Sequence, residues 1–251
     1  MSRQTLYRGL KRSPRAGFRS GGGGALVPPN FGWTDFWWAE DLAIGEIDAA
    51  ITPRYGSGAL TPSATGPTVA TGGADFNAKK YVTHVTTAEH LYKAQAAVAQ
   101  PFVIVAYAKI GSATTASTAS IFDSYTDGTA PAANNRCMAQ YINTTVDQRR
   151  MNGGTQIQAN WGGGFEDVLW EIKFNGASSA WLREGVSVLS GDAGAYTMAG
   201  FTIGGRFDLA AAGNIDDMQW AYVGRISVAD WATLRPTFLA WHNLFYAQAA
   251  V

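Results

Sequence analysis

Between Asp167 and Leu189, apolar and polar residues alternate with a period of two, broken at Asn175-Gly176 and again at Glu184-Gly185. That period marks strands that bury one face. Asn-Gly between two such runs is a strong hairpin signal, because a type I′ turn takes both central residues to positive φ. With Asn175-Gly176 as a two-residue turn, Phe174 is expected opposite Ala177, Ile172 opposite Ser179 and Trp170 opposite Trp181. A tight turn at Glu184-Gly185 then sets Trp181 opposite Val188. Trp170, Trp181 and Val188 form one row, with Ile172 and Phe174 on the same face. Glu171, Lys173 and Arg183 fall on the other face with Leu169 and Leu182. A meander with such an apolar face needs a second layer to cover it.

The rest of the chain gives more short strands than helices. Phe31–Leu42 packs three tryptophans and two phenylalanines into a first strand. Residues 67–77 lead to Tyr81–His84 as two short strands across a turn, and Thr87–Ala99 has helical spacing, with Leu91 and Val98 inward. Pro101–Ile110 is apolar on both faces and is expected to be buried between layers. Strands are expected at Ile121–Tyr125, Arg136–Asn143, Gln156–Trp161, Phe201–Gly205 and Met218–Ile226. Ser227-Val-Ala-Asp230 has the outline of a capping box and opens a helix that Pro236 should break or restart. Phe238, Trp241, Leu244 and Phe245 make that helix's apolar stripe. About ten short strands with frequent turns predict an all-β sandwich or barrel.

Composition changes this picture in three places. Cys137 is the one cysteine among 251 residues, so the fold needs no disulfide, and Cys137 reads as a small buried hydrophobe. No run of about 18 apolar residues exists, so no membrane span is expected. Charge is divided unevenly. Residues 1–24 hold Arg3, Arg8, Lys11, Arg12, Arg15 and Arg19 and no acid, leaving thirteen basic against nineteen acidic residues elsewhere, a net of −6. Residues 1–24 are therefore read as a basic arm ending in the flexible joint Gly21–Gly24, and residues 25–251 as the body. The arm lacks the apolar core of a secretory signal. It could be a solubilising tail, a nucleic-acid or membrane arm, or a segment docking into a partner. The docking segment is carried forward, with Arg3, Leu6, Tyr7, Arg8, Leu10, Arg12, Arg15 and Phe18 as contact residues.

An ordered set of motifs adds a resemblance. Trp37-Trp38-Ala39-Glu40-Asp41, Pro67-Thr-Val, Asp75-Phe-Asn77 and Phe102-Val-Ile-Val105 are followed by Trp170-Glu-Ile-Lys173, the Arg183-Glu-Gly185 turn, Phe201–Gly205 and Tyr222–Ser227 with the Asp230 helix. Over residues 33–246 this order resembles the concanavalin A-like lectin/glucanase superfamily, in the laminin-G-like form common in bacteriophage virion proteins. The resemblance implies a two-sheet antiparallel jelly-roll sandwich with a C-terminal helix, whose strand near the N-terminus lies beside the last strands.

Many members of that superfamily bind sugars and some hydrolyse them, so each candidate residue has a structural role to set against a functional one. Retaining glucanases of the fold carry two Glu in an E-x-D-x-x-E or E-x-D-x-E pattern. Here Glu46-Ile-Asp48 lacks the second Glu, and Glu166 and Glu171 are five apart, on opposite faces of a regular strand. No enzymatic activity is therefore expected. His84, His90 and His242 lack metal-ligand spacing, and Asp216-Asp217 and Asp75/Asn77 read as solvated loop groups, so no metal or other cofactor is expected. Trp161, beside three glycines, and Tyr125 are the aromatics expected at the surface for glycan stacking. The resulting expectation is a non-enzymatic virion structural protein, assembled in the host cytoplasm in many copies or as a homo-oligomer. Its arm would dock on other virion proteins, with no membrane partner and nucleic acid disfavoured. The alternative is a carbohydrate-binding module for host surface glycan.

Overall fold

The structure, a computed structural model, describes residues 26–72, 75–110, 119–125, 134–142, 148–160, 167–207 and 218–246. In chain order the strands are β1 (Trp33–Trp38), β2 (Gly45–Glu46), β3 (Tyr55–Gly56), β4 (Thr61–Pro62), β5 (Thr68–Ala70), β6 (Tyr81–His84), β7 (Leu91–Lys93) and β8 (Phe102–Ile110). They continue as β9 (Ala119–Asp123), β10 (Met138–Ile142), β11 (Gln148–Asn152), β12 (Gln156–Asn160), β13 (Val168–Phe174), β14 (Ser179–Arg183), β15 (Val186–Gly191), β16 (Phe201–Ile203) and β17 (Met218–Ser227), before the helix α1 (Val228–Phe245). Among the described residues these make two antiparallel sheets. One has ten strands in the order β15-β14-β13-β8-β17-β6-β5-β2, with β1 branching from β17 and β3 paired to β1. The other has seven, in the order β12-β11-β10-β9-β16-β7-β4. The expected two-sheet sandwich with a C-terminal helix is present, and β1 pairs with β17, the last strand.

Three layers follow from the faces of β8, in which every residue but Lys109 is buried. Phe102, Ile104, Ala106 and Ala108 join the core between the sheets with Trp37, Tyr141, Trp170, Trp181, Phe201 and Trp220. Val103, Val105 and Tyr107 face the other way and pack with Leu169, Tyr222, Trp33 and Phe36 under Trp231, Phe238 and Trp241 of α1. Ser227 caps that helix by accepting from the Asp230 backbone N–H at 3.0 Å. The helix runs unbroken through Pro236, contrary to expectation. Its buried Trp231, Leu234, Phe238 and Trp241 supply more apolar burial than the one missing N–H bond costs.

The first hairpin of the central meander keeps its faces but not its register. Ile172 lies opposite Trp181, and Trp170 opposite Arg183. The turn is longer than the two residues expected. Ser179 Oγ accepts from Asn175 N–H at 2.9 Å and donates to Gly176 O at 2.7 Å, while Gln100 Oε1 accepts from Gly176 N–H at 2.9 Å. A two-residue shift preserves parity, so Trp170 and Trp181 still meet edge to face at 5.9 Å. Glu184 (φ 50°) and Gly185 (φ 78°) do form the expected tight turn. A bulge at Trp181/Leu182 then brings Leu189, not Val188, opposite Trp181. Residues 87–99 are not a helix either. Leu91–Lys93 is β7, paired with β16 and β4, and Val98 bridges Met198.

One ion cluster pins the two sheets together. Asp35 of β1 and Arg225 of β17 project from the ten-stranded sheet to meet Lys93 of the other, and all three are buried. Asp35 Oδ2 accepts from Arg225 Nε at 3.1 Å and Nη2 at 2.7 Å, and Oδ1 is paired with Lys93 Nζ. Lys93 also donates to Ser57 O at 2.8 Å and lies 5.0 Å from the Trp37 ring. Burial lowers the pKa of Lys93, with Asp35 acting against it.

Candidate functional site

The outer face of the seven-stranded sheet carries a row of polar side chains, of which Ser120, Asp123, Gln140 and Thr202 are buried and Arg150, Asn152, Gln156 and Gln158 reach solvent. Its inner face gives Leu91, Ile121, Phe122, Ala139, Tyr141, Met151, Phe201 and Ile203 to the core. The outer face takes the alternate positions, with one irregularity. Between Phe122↔Ala139 and Ser120↔Gln140 the register of β9 on β10 shifts, so Ile121 and Phe122 both turn inward. This bulge brings Ser120 and Asp123, three residues apart, to one face; a regular strand would separate them. Across β10, β11 and β12 the pairing continues Gln140↔Arg150↔Gln158, flanked by Asn152↔Gln156. Gln140 Nε2 donates to Ser120 Oγ at 3.3 Å, and Gln158 Oε1 accepts from Gln156 Nε2 at 3.0 Å and Arg150 Nη2 at 3.5 Å.

Asp123 anchors the middle of this face. Arg136 grips it through Nε at 3.0 Å and Nη2 at 2.7 Å, and its backbone neighbour Ser124 donates to it at 2.8 Å. Burial raises the Asp123 pKa, and the bond and charge of Arg136 oppose the rise. The Arg136 guanidinium stacks 4.1 Å from the Phe207 ring. Thr202 Oγ1, beside Asp123 in the register, accepts the Asp123 N–H at 3.0 Å.

Beyond Thr202 the face opens into a pocket of about 380 Å³ lined by Ser63, Thr65, Thr87, His90 and Tyr92. Ser63 Oγ accepts from His90 N–H at 3.1 Å and donates to Thr65 O at 2.6 Å. Burial lowers the His90 pKa to about 4, so at neutral pH the ring lines the pocket uncharged. Carboxamides, the Arg150 guanidinium, a neutral imidazole and a tyrosine ring give this face groups that hydrogen-bond and stack.

The residues proposed from sequence fare unevenly. Tyr125 is buried and packs on Tyr92 at 4.7 Å, so it is not an exposed platform; its ring backs the pocket tyrosine instead. Trp161 and the arm residues Arg3, Leu6, Tyr7, Arg8, Leu10, Arg12, Arg15 and Phe18 lie outside the described residues, as do Glu166, Asp216 and Asp217. Glu171 points away from this face, accepting from Trp231 Nε1 at 2.6 Å and from Arg235 Nε at 2.9 Å and Nη2 at 2.8 Å under α1. His84 and His90 come together around Gly204-Gly205, where a Cβ on Gly204 would sit 2.6 Å from the His84 ring. His84 is held by Glu89 O at 2.8 Å and by Trp220 Nε1 at 3.1 Å. Among the described residues no three His, Cys, Asp or Glu side chains are grouped to hold a metal ion, and no helix is long and apolar enough to cross a membrane. Ser120, Gln140, Arg150 and Gln158 were missed in the sequence, because only strand register brings them together.

No protein-family model matches the chain, and no curated protein does. Solved structures do. Trypanosoma rangeli sialidase in complex with 2,3-difluorosialic acid, a covalent intermediate, superposes with a TM-score of 0.57 at 13% identity, covering 91% of this chain and 35% of that one. Another structure of Trypanosoma rangeli sialidase gives 0.55 at 11% identity, covering 85% and 33%. A prokaryotic β-1,3-1,4-glucanase (lichenase) from a mouse hindgut metagenome gives 0.33 at 13% identity, covering 55% and 71%. This chain thus spans about a third of the length of the sialidase chains it matches. It shares the fold of the matched third of those chains, and the likeness extends to the fold alone. The expectation of a protein without enzymatic activity is withdrawn, because these solved structures that share its fold are enzymes. The fold therefore gives no ground for excluding catalysis.

Proposed function

We propose that the chain is a glycan-recognising jelly-roll domain that binds saccharide along the outer face of its seven-stranded sheet. The pairs Arg150–Gln158 and Asn152–Gln156, the part of this face that reaches solvent, carry this reading, while Ser120 and Gln140 in the same row are buried. Sugars present vicinal hydroxyls that both donate and accept. Carboxamides and hydroxyls match them with both functions, and guanidinium adds paired donors. The pocket at Thr65, Thr87, His90 and Tyr92 supplies a concave end with an aromatic wall for one sugar ring. The test is an array of bacterial surface and mammalian glycans probed with the full chain, with product analysis of every glycan bound. Saturable binding to a defined glycan class supports the reading, and product release shows whether cleavage follows. An array with no binding above background removes it.

A second reading rests on the charge division. Six cations without one acid in residues 1–24, ahead of a body of net −6, suit an attachment segment. In this reading the arm fixes the domain to a bacteriophage particle, which displays it to host glycan. Deleting residues 2–24 should leave a folded body that no longer incorporates into particles. Incorporation of the truncated chain at wild-type copy number contradicts the attachment role.

A further inference from the structure

We infer that the basic arm has a docking groove on its own body, between the segment Leu26–Asn30 and α1, and that Phe18 is the side chain that fills it. The groove has a volume of about 420 Å³ and is walled by Leu26, Val27, Tyr55, Ala240, Trp241 and Leu244. Leu26 and Val27 are 42% and 46% exposed, and Leu244 is 56% exposed. Three of the large apolar residues left in solvent therefore border one groove. Thr237, Ala240, Trp241 and Leu244 follow the i, i+3, i+4, i+7 spacing of one helix face, the geometry by which a helix receives apolar anchors.

The groove's near wall is held in place. Tyr55 Oη donates to Pro28 O at 2.6 Å, and Trp33 Nε1 donates to Pro29 O at 3.1 Å. These bonds fix the Pro28-Pro29 backbone over β1 and β3 and leave a slot between it and α1.

Two observations choose the occupant. The first is position. The described chain starts at Leu26, on the lip of the groove, and the residues before it carry Phe18, Leu10, Tyr7 and Leu6. Phe18 stands eight positions ahead of Leu26, a reach of up to about 28 Å, while Thr237 to Leu244 spans about 10 Å of helix. The four glycines at 21–24 allow the reversal of direction this needs. The second is charge. The arm's +6 is complementary to the body's −6, so arm and body attract one another. A tether this short gives an effective concentration of order mM, which favours the chain's own arm over that of a second copy. The inference does not rest on glycan binding, since the groove lies on the helix side of the ten-stranded sheet. A particle subunit that takes up the arm must compete with this groove for it.

The test is disulfide trapping in the full chain with Phe18→Cys and Leu244→Cys. The native Cys137 does not interfere, being buried with its thiol pushed up to about 12. The control pairs Phe18→Cys with Val186→Cys, similarly exposed but on the edge strand β15. Under mild oxidation at micromolar protein, the Leu244 pair should close within one chain at least tenfold faster than the Val186 pair. The linked peptide is read by mass spectrometry and chain number by non-reducing electrophoresis. Equal rates for the two pairs, or a Leu244 product found only as a concentration-dependent dimer, overturn the inference. Folding of each variant is checked by its melting curve, and an Ala240→Cys partner gives a second groove position if Leu244→Cys fails to fold.

Discussion

Replacing Asp35 by Asn should be among the most damaging single changes to this fold. Asparagine keeps the volume but removes the only negative charge of the Asp35–Lys93–Arg225 cluster, whose side chains are 0%, 2% and 0% exposed. Asp35 accepts one bond from Lys93 and two from Arg225. The Asn carbonyl oxygen can still accept from one of the cations, so about two bonds to charged groups are lost, about 3 kcal/mol at about 1.5 kcal/mol each. That agrees with the roughly 3–5 kcal/mol expected when one partner of a buried ion pair is removed. The pH dependence gives a second signature. Burial already lowers the Lys93 pKa, and without Asp35 it falls further. The unfolded chain then binds more protons than the folded one between that lowered value and 10.5, so stability rises with pH in this window. Urea unfolding followed by tryptophan fluorescence should therefore show a loss of about 3–5 kcal/mol at pH 7 that shrinks by about pH 9.5. Exchanging the whole cluster for apolar side chains of similar volume, with Asp35→Leu, Lys93→Met and Arg225→Met combined, should recover much of it. A loss below about 1 kcal/mol at pH 7, or one that grows with pH, would refute the reasoning.

Trp170→Ala should cost roughly 3–5 kcal/mol in denaturant unfolding, since the ring is buried against Trp181 and its Nε1 donates to Ala108 O at 3.0 Å; a loss under about 1 kcal/mol contradicts the packing. His84 is held neutral, its pKa lowered by burial to about 4. Its contribution to stability is complete above the unfolded value of 6.5 and is lost as pH falls toward 4, amounting to about 3 kcal/mol. Nitrogen-15 NMR should find the ring neutral at about pH 5.5, and a midpoint near 6.5 contradicts the buried, doubly bonded imidazole.

What was legible in the sequence was whatever depended on period and local chemistry. β8 showed as an apolar run because both its faces are covered, by the other sheet and by α1. The Ser227 cap and the Glu184-Gly185 turn showed because each is settled within a few residues. The hairpin register was not legible, since the loop length is decided in part by Gln100, 76 residues upstream. β7 read as helical because Leu91 and Val98 suit that spacing, but pairing with β4 and β16 determines its conformation. Pro236 read as a helix breaker because propensity is local, while the packing that carries α1 past it comes from β8, β13 and β17. The candidate site was the least legible part. Ser120, Gln140, Arg150 and Gln158 come from four strands, and the bulge at Ile121 that aligns Ser120 with Asp123 has no sequence mark. Tyr125 was misplaced for the same reason, since Tyr92 reaches it only through the neighbouring β16.

The most direct test of glycan recognition by the seven-stranded sheet is calorimetric titration of the best array ligand into the wild-type chain and into Arg150→Ala/Gln158→Ala. Both side chains lie on the outer face, away from the core between the sheets. The double variant should melt with the wild type yet bind at least about tenfold more weakly, a loss of roughly 1.4 kcal/mol or more. Unchanged affinity in a folded double variant would contradict the assignment of the saccharide to this face.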